Sequence, residues 1–148
     1  MMLRYKKLSD NALAPLRGRF EDAGIDFRLS RDIEWQQTDK GLWFGIAHTG
    51  IALEIPRGYY LATAPRSSML FKKHITVFHS IIDSGYTGEI TFYLFHIGSG
   101  MPPEIQIGDK IAQCVLIQTP IIHTEFEEVD TLPEWSDRGN EGFGSSGK

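Results

Sequence analysis

No window of this chain sustains a 3.6-residue apolar period; fifteen glycines and seven prolines instead cut it into short runs rich in β-branched and aromatic residues. That is the pattern of many short strands. Gly50 to Pro56 alternates, with Ile51, Leu53 and Ile55 on one face, and Tyr59 to Ala64 follows across Pro56-Arg57-Gly58, which reads as the turn of a hairpin. Ile75 to Phe78, Glu89 to Ile97, Lys110 to Gln118 and Ile121 to Glu128 complete the predicted strands. The best helical stretch, Ser67 to Lys73, is only about two turns long. An all-β sandwich or jelly roll is therefore predicted. Gly98 to Pro103 must be a loop, because its glycines and paired prolines cannot carry a ladder.

With 148 residues the chain is one domain by length. The stretch after Trp135 differs in kind. Small, charged and glycine residues dominate from Ser136 to Lys148, and Phe143 is its one large apolar side chain, so it cannot pack a core of its own. The expected division is a β domain over residues 1–135 and a flexible glycine-rich arm over 136–148. A net charge of -4 gives no bulk attraction to nucleic acid, so a polyphosphate would have to be held by a few local cations, backbone amides or a metal. Cys114 is the single cysteine, which excludes an intrachain disulfide, fits a reducing compartment and reads as a small core hydrophobe. Met1 to Lys7 is polar with no apolar stretch behind it, and no apolar run approaches about 18 residues, so a cytoplasmic protein without membrane contact is expected.

Five segments could carry chemistry. Asp26, in Ala23-Gly24-Ile25-Asp26-Phe27, is a turn residue at a strand start or a functional carboxylate. Ala64-Pro65-Arg66-Ser67-Ser68-Met69 ends a strand and opens the short helix; Ser67 or Ser68 could be its N-cap, or the hydroxyls, free amides and guanidinium could form an oxyanion site. Ile81 to Glu89 reads as a hairpin whose turn carries Asp83 and Tyr86. The first could act as a general base, and the second offers a flat face to a sugar. Gly108 to Gln113 is a turn entering a strand, with Gln113 read alone as a solvent-face residue. The last, Arg138 to Lys148, nearly matches a phosphate loop but has neither the final Ser/Thr nor a following helix, which leaves an amide-rich closing clamp. His48, His74, His79, His96 and His123 are dispersed without metal-ligand spacing, and no Gly-x-Ser-x-Gly nucleophile elbow is present.

Taken together and in order, these five segments resemble the five motifs of the trimeric dUTPases, over about Ala23 to Gly147. The resemblance implies a β-jelly-roll homotrimer that hydrolyses dUTP to dUMP and pyrophosphate with Mg²⁺, each active site drawing residues from all three subunits. Residue by residue it makes Asp83 the group that orients and deprotonates the attacking water and contacts the 3′-hydroxyl. Tyr86 becomes the ring under the deoxyribose that leaves no room for a 2′-hydroxyl. Arg66, Ser67, Ser68 and Gln113 become phosphate ligands, and Asp26 the carboxylate that holds the triphosphate-bound Mg²⁺ through water. In the arm, Phe143 would cover the uracil while Arg138, Gly144, Ser145 and Ser146 close on the outer phosphates.

The chain departs from the family pattern at Phe78-His79-Ser80, where many dUTPases carry glycines, and at Thr76 and Val77, where some place an asparagine that reads the base. Uracil selection would then rest on backbone groups of the Asp83 segment. The same fold also serves dCTP deaminases, whose catalytic Glu falls here on Tyr93, and some phage relatives act as regulatory binding proteins.

Overall fold

The computed structural model describes residues 2–120 and 124–131. In chain order its elements are β1 (Arg4–Lys7), β2 (Gly24–Arg28), β3 (Gln36–Gln37), β4 (Trp43–Glu54), β5 (Tyr59–Pro65), α1 (Ser67–Lys73), β6 (Ile75–Val77), β7 (Ile81–Asp83), β8 (Glu89–His96) and β9 (Lys110–Gln118). They form two sheets. One runs β1-β4-β8-β6 with β3 also on β4, the other β2-β9-β5-β7, and every pairing is antiparallel. The expected all-β jelly roll is what the chain forms.

Strand alternation explains why the sheets stack. On β2 and β9, Ile25 lies opposite Cys114 and Phe27 opposite Ala112, and all four are buried. On β8, Ile90, Phe92 and Leu94 alternate inward. The two inner faces meet where the Phe27 and Phe92 rings lie 5.6 Å apart, each 1% exposed. Burying an aromatic or branched aliphatic side chain this fully contributes about 2–3 kcal/mol, so these faces are the main force holding the sheets together.

The Pro56-Arg57-Gly58 turn forms as expected, with the Tyr59 amide donating to the Pro56 carbonyl over 3.1 Å and Gly58 at φ 82°. It does not make a hairpin. β4 belongs to the first sheet and β5 to the second, so the apolar row Ile51, Leu53 and Ile55 turns over to face the row containing Leu61. The segment from Ile81 to Glu89 likewise makes no hairpin. Its turn closes through the Tyr86 amide on the Asp83 carbonyl (3.1 Å), but β7 pairs with β5 while β8 pairs with β4 and β6. Turn chemistry reverses a chain over a few residues, whereas burial of apolar faces chooses the strand's partner.

The strand expected over Ile121 to Glu128 is absent from its described part: residues 124–128 are exposed and unpaired in any ladder, and 121–123 lie outside the described residues. Extended segments become strands only where an edge is available to pair them, and β9 already has β2 and β5 on its two sides. Strands β1, β2 and β3 and the first half of β4 are not among the strands expected from the sequence.

Candidate active site

Asp26 is no turn residue. It sits in the middle of β2 opposite Gln113 of β9, and Gln113 in turn lies opposite Ala64 of β5, so the three strands bring these positions into one row. Because Ile25 and Phe27 point into the core, Asp26 occupies the outer face of the second sheet. It is nonetheless only 7% exposed, because two cations cover it: Arg66 Nε donates to Oδ1 and Lys110 Nζ to Oδ2, each over 2.8 Å. Arg66 also reaches the Lys110 carbonyl (3.2 Å) and Ser68 Oγ (3.4 Å) through Nη1. The Gln113 amide donates to the Pro65 carbonyl over 2.9 Å, and its side chain lies against Gly24, where a Cβ would collide with it. Gly18, Asp22, Gly24, Asp26, Arg66, Ser67, Lys110 and Gln113 thus line one polar cleft of about 370 Å³.

The helix start opens onto this cleft. Arg66 occupies the N-cap with extended backbone (φ -88°, ψ 138°) and makes no side-chain cap bond, so neither Ser67 nor Ser68 is the N-cap. The first intrahelical bonds run from the Met69 and Leu70 amides to the Arg66 carbonyl, which leaves the Ser67 and Ser68 amides outside the helix ladder. Two hydroxyls, two such amides and a guanidinium form a compact set of anion donors.

Asp83 and Tyr86 lie elsewhere. Asp83 ends β7 opposite Tyr60 and is exposed, on the same outer sheet face as Asp26, because its neighbour Ile82 lies opposite the buried Leu61. Tyr86 is 45% exposed and donates from its hydroxyl to the Glu89 carbonyl over 2.9 Å. Its ring lies on Gly88: a Cβ there would stand 2.5 Å from the hydroxyl oxygen. Tyr60 and Arg66 are six residues apart along β5 and its exit, so Asp83 and the Arg66 cluster are separated by about 20 Å within one chain. The sequence-derived residues therefore fall into two half-sites. Arg138, Phe143, Gly144, Ser145 and Ser146 lie outside the described residues.

Lys110 was missed by sequence reading, although a buried carboxylate demands a counter-ion and Lys110 stands only three residues before Gln113. The histidines behave as structural groups where they are described. His48 Nδ1 bonds Glu89 Oε2 (2.8 Å), and His79 Nδ1 bonds the Thr63 carbonyl (2.9 Å). Partial burial pushes the Glu89 carboxyl up, but its hydrogen bonds from His48 and the Gly50 amide and the charges of His48 and Arg31 outweigh this and hold it below its ordinary range. His96 is buried, which depresses its basicity. Tyr93 lies on β8 opposite Ile46, in the other sheet from Asp26 and Gln113. Among the described residues no group of three or more His, Cys, Asp or Glu side chains could hold a metal ion, and no helix is long and apolar enough to cross a membrane.

The family model described as dUTPase matches residues 10–147. The chain is 38% identical to the deoxyuridine 5′-triphosphate nucleotidohydrolase of Nautilia profundicola, with all of both chains covered. It is also 38% identical to the mitochondrial human protein of that name, matching over its whole length and spanning 56% of the human protein. Among solved structures it resembles a Staphylococcus bacteriophage 80alpha dUTPase mutant with dUpNHpp, with a TM-score of 0.84, 26% identity and 99% of each chain covered.

Proposed function

The chain belongs to the dUTPase family, and from that premise we propose how it hydrolyses dUTP to dUMP and pyrophosphate. Asp83 takes a proton from a water molecule; the water oxygen bonds to the α-phosphorus as the bond to the α,β-bridging oxygen breaks, and pyrophosphate departs. Arg66, Ser67, Ser68 and Gln113 hold the phosphates in line. Tyr86 lies under the deoxyribose and excludes a 2′-hydroxyl. Phe143 covers the uracil, and Arg138, Gly144, Ser145 and Ser146 close the arm, residues 136–148, over the β domain's site. Cleaving dUTP keeps uracil out of DNA and supplies dUMP for dTMP synthesis.

Mg²⁺ carried on the triphosphate would neutralise charge on the departing oxygens. Asp26 fits this group only through water. Each of its oxygens already accepts from a cation at 2.8 Å, and the described residues supply no further acidic cage, so direct ligation would break both pairs.

The observation that carries the reading of a shared site is the separation of the two half-sites. A base acting on the α-phosphorus must stand within hydrogen-bond reach of the attacking water, while the phosphate ligands lie about 20 Å from Asp83 in the same chain. A homotrimer in which Asp83 of one subunit meets Arg66 of another resolves this. Deamination of dCTP is disfavoured because the position of the deaminase Glu holds Tyr93, a phenol in place of a carboxylate base. The buried thiol is consistent with a reducing, cytoplasmic setting.

A pyrophosphate-release assay across dUTP, dCTP, dTTP and UTP, with and without Mg²⁺, tests the reading. We expect dUTP to be cleaved at least ~100-fold faster than the others, because a site that hydrogen-bonds the right base leaves polar groups unpaired with the wrong one. Equal turnover of UTP, or ammonia from dCTP, would overturn it.

A further inference from the structure

Lys110 should not be in the phosphate cleft by simple strand alternation. Gln113 faces outward on β9, so a residue three positions earlier would face the core. The ladder between β2 and β9 is interrupted between Phe27 and Arg28: Phe27 lies opposite Ala112, but Arg28 lies opposite Lys110, and Ile111 is left as the extra residue. Ile111 and Ala112 are consequently both fully buried, and the alternation beyond them is reversed. This irregularity turns the Lys110 ammonium onto the outer face, where it meets Asp26.

We infer that Lys110 is a positioning residue of the triphosphate cleft: by occupying one oxygen of Asp26 it keeps Arg66 on the other, so that the guanidinium remains aimed at the phosphates. The inference rests on the phosphate-binding reading of Arg66 and Gln113. Its geometry is specific. The two cations divide the carboxylate between them, one per oxygen, and the Lys110 carbonyl accepts from Arg66 Nη1 as well, so one residue fixes the guanidinium from two sides. Nη2 has no hydrogen-bond partner among the described residues and remains for a ligand oxygen. The three side chains carry a net charge of +1. Without Lys110 the Asp26–Arg66 pair would be neutral, and Asp26 could draw both outer nitrogens of the guanidinium into a bidentate pair, away from the substrate.

The test is calorimetric binding of a non-hydrolysable α,β-imido analogue of dUTP and of dUMP, both with Mg²⁺ at fixed ionic strength, to the wild type, Lys110→Met and Lys110→Arg. Lys110→Met should bind the triphosphate analogue about tenfold more weakly, the scale of one charge-assisted hydrogen bond, with dUMP affected much less. Lys110→Arg should restore most of the loss. In an Asp26→Asn background the Lys110→Met effect should shrink, because the residue acts through Asp26. Unchanged binding of the triphosphate analogue by Lys110→Met would overturn the inference. So would equal weakening of both ligands accompanied by a lower Tm, the mark of a purely structural ion pair. Should Lys110→Met fail to fold, Lys110→Ala, which likewise leaves that oxygen of Asp26 unoccupied, is judged by the same outcomes. Hydrolysis of dUTP by the wild type is measured alongside. Its absence would sink the hydrolase reading, whereas wild-type hydrolysis with unaltered Lys110→Met binding would sink this inference alone.

Discussion

Asp83 and Arg66 stand at opposite ends of β5, the first opposite Tyr60 and the second just beyond Pro65, on one sheet of one chain. Where the site they share between subunits also takes its arm from a neighbour, two inactive variants should complement each other. A chain lacking residues 139–148 keeps Asp83, and an Asp83→Asn chain keeps the arm. When they are denatured and refolded together, about one site in three of each mixed cyclic trimer should combine an intact Asp83 with an intact arm. Mixtures that demonstrably exchange subunits yet stay as inactive as their parents would refute a site that takes Asp83 and the arm from different subunits.

Asp83→Asn alone keeps the shape of the side chain and removes the base. Its kcat should fall by roughly 10²- to 10⁴-fold, the usual contribution of general-base catalysis, while KM changes little. Near wild-type kcat would mean that another group activates the water.

Gly88 carries the Tyr86 ring on its bare Cα. Gly88→Ala should leave the fold intact and displace the ring, breaking the hydroxyl bond to Glu89. The ratio of kcat/KM for UTP over dUTP should then rise, by roughly tenfold for a loosened pocket wall. An unchanged ratio would show that Tyr86 does not exclude the 2′-hydroxyl.

Glu89 titrates below its ordinary value of 4.5, because bonds from His48 and the Gly50 amide outweigh its burial. A carboxyl with a depressed folded pKa contributes stability that is present above the unfolded value and is lost as pH falls through the folded one. Stability should accordingly decline below about pH 4.5, and Glu89→Gln should flatten that decline. Denaturant titrations of both proteins between neutral and acid pH check it; parallel acid limbs would count against the His48–Glu89 pair.

Cys114 is fully buried opposite Ile25 and Thr63, and burial pushes its thiol up to about 12. A disulfide reagent at mildly alkaline pH should leave the native protein unmodified and titrate one thiol per chain after denaturation. Rapid reaction of the native protein would contradict this packing.

Local chemistry made much of the molecule readable. The limits of β9 and α1 and the Gly98 to Pro103 loop follow from periodicity and turn residues, while Asp26, Arg66, Gln113, Asp83 and Tyr86 are proposed as site residues by the resemblance their motifs carry. Effects of that kind act over a few positions and say which residues are extended and where the chain reverses. Partners are a different matter. Both turns expected to close hairpins instead pass from one sheet to the other, because stacking two apolar faces buries more surface than laying them side by side. The bulge at Ile111 breaks the very alternation on which strand reading depends, and only it delivers Lys110 to Asp26. The distance between Asp83 and Arg66 likewise depends on the register of β7 on β5, set by long-range burial that no local stretch of sequence encodes.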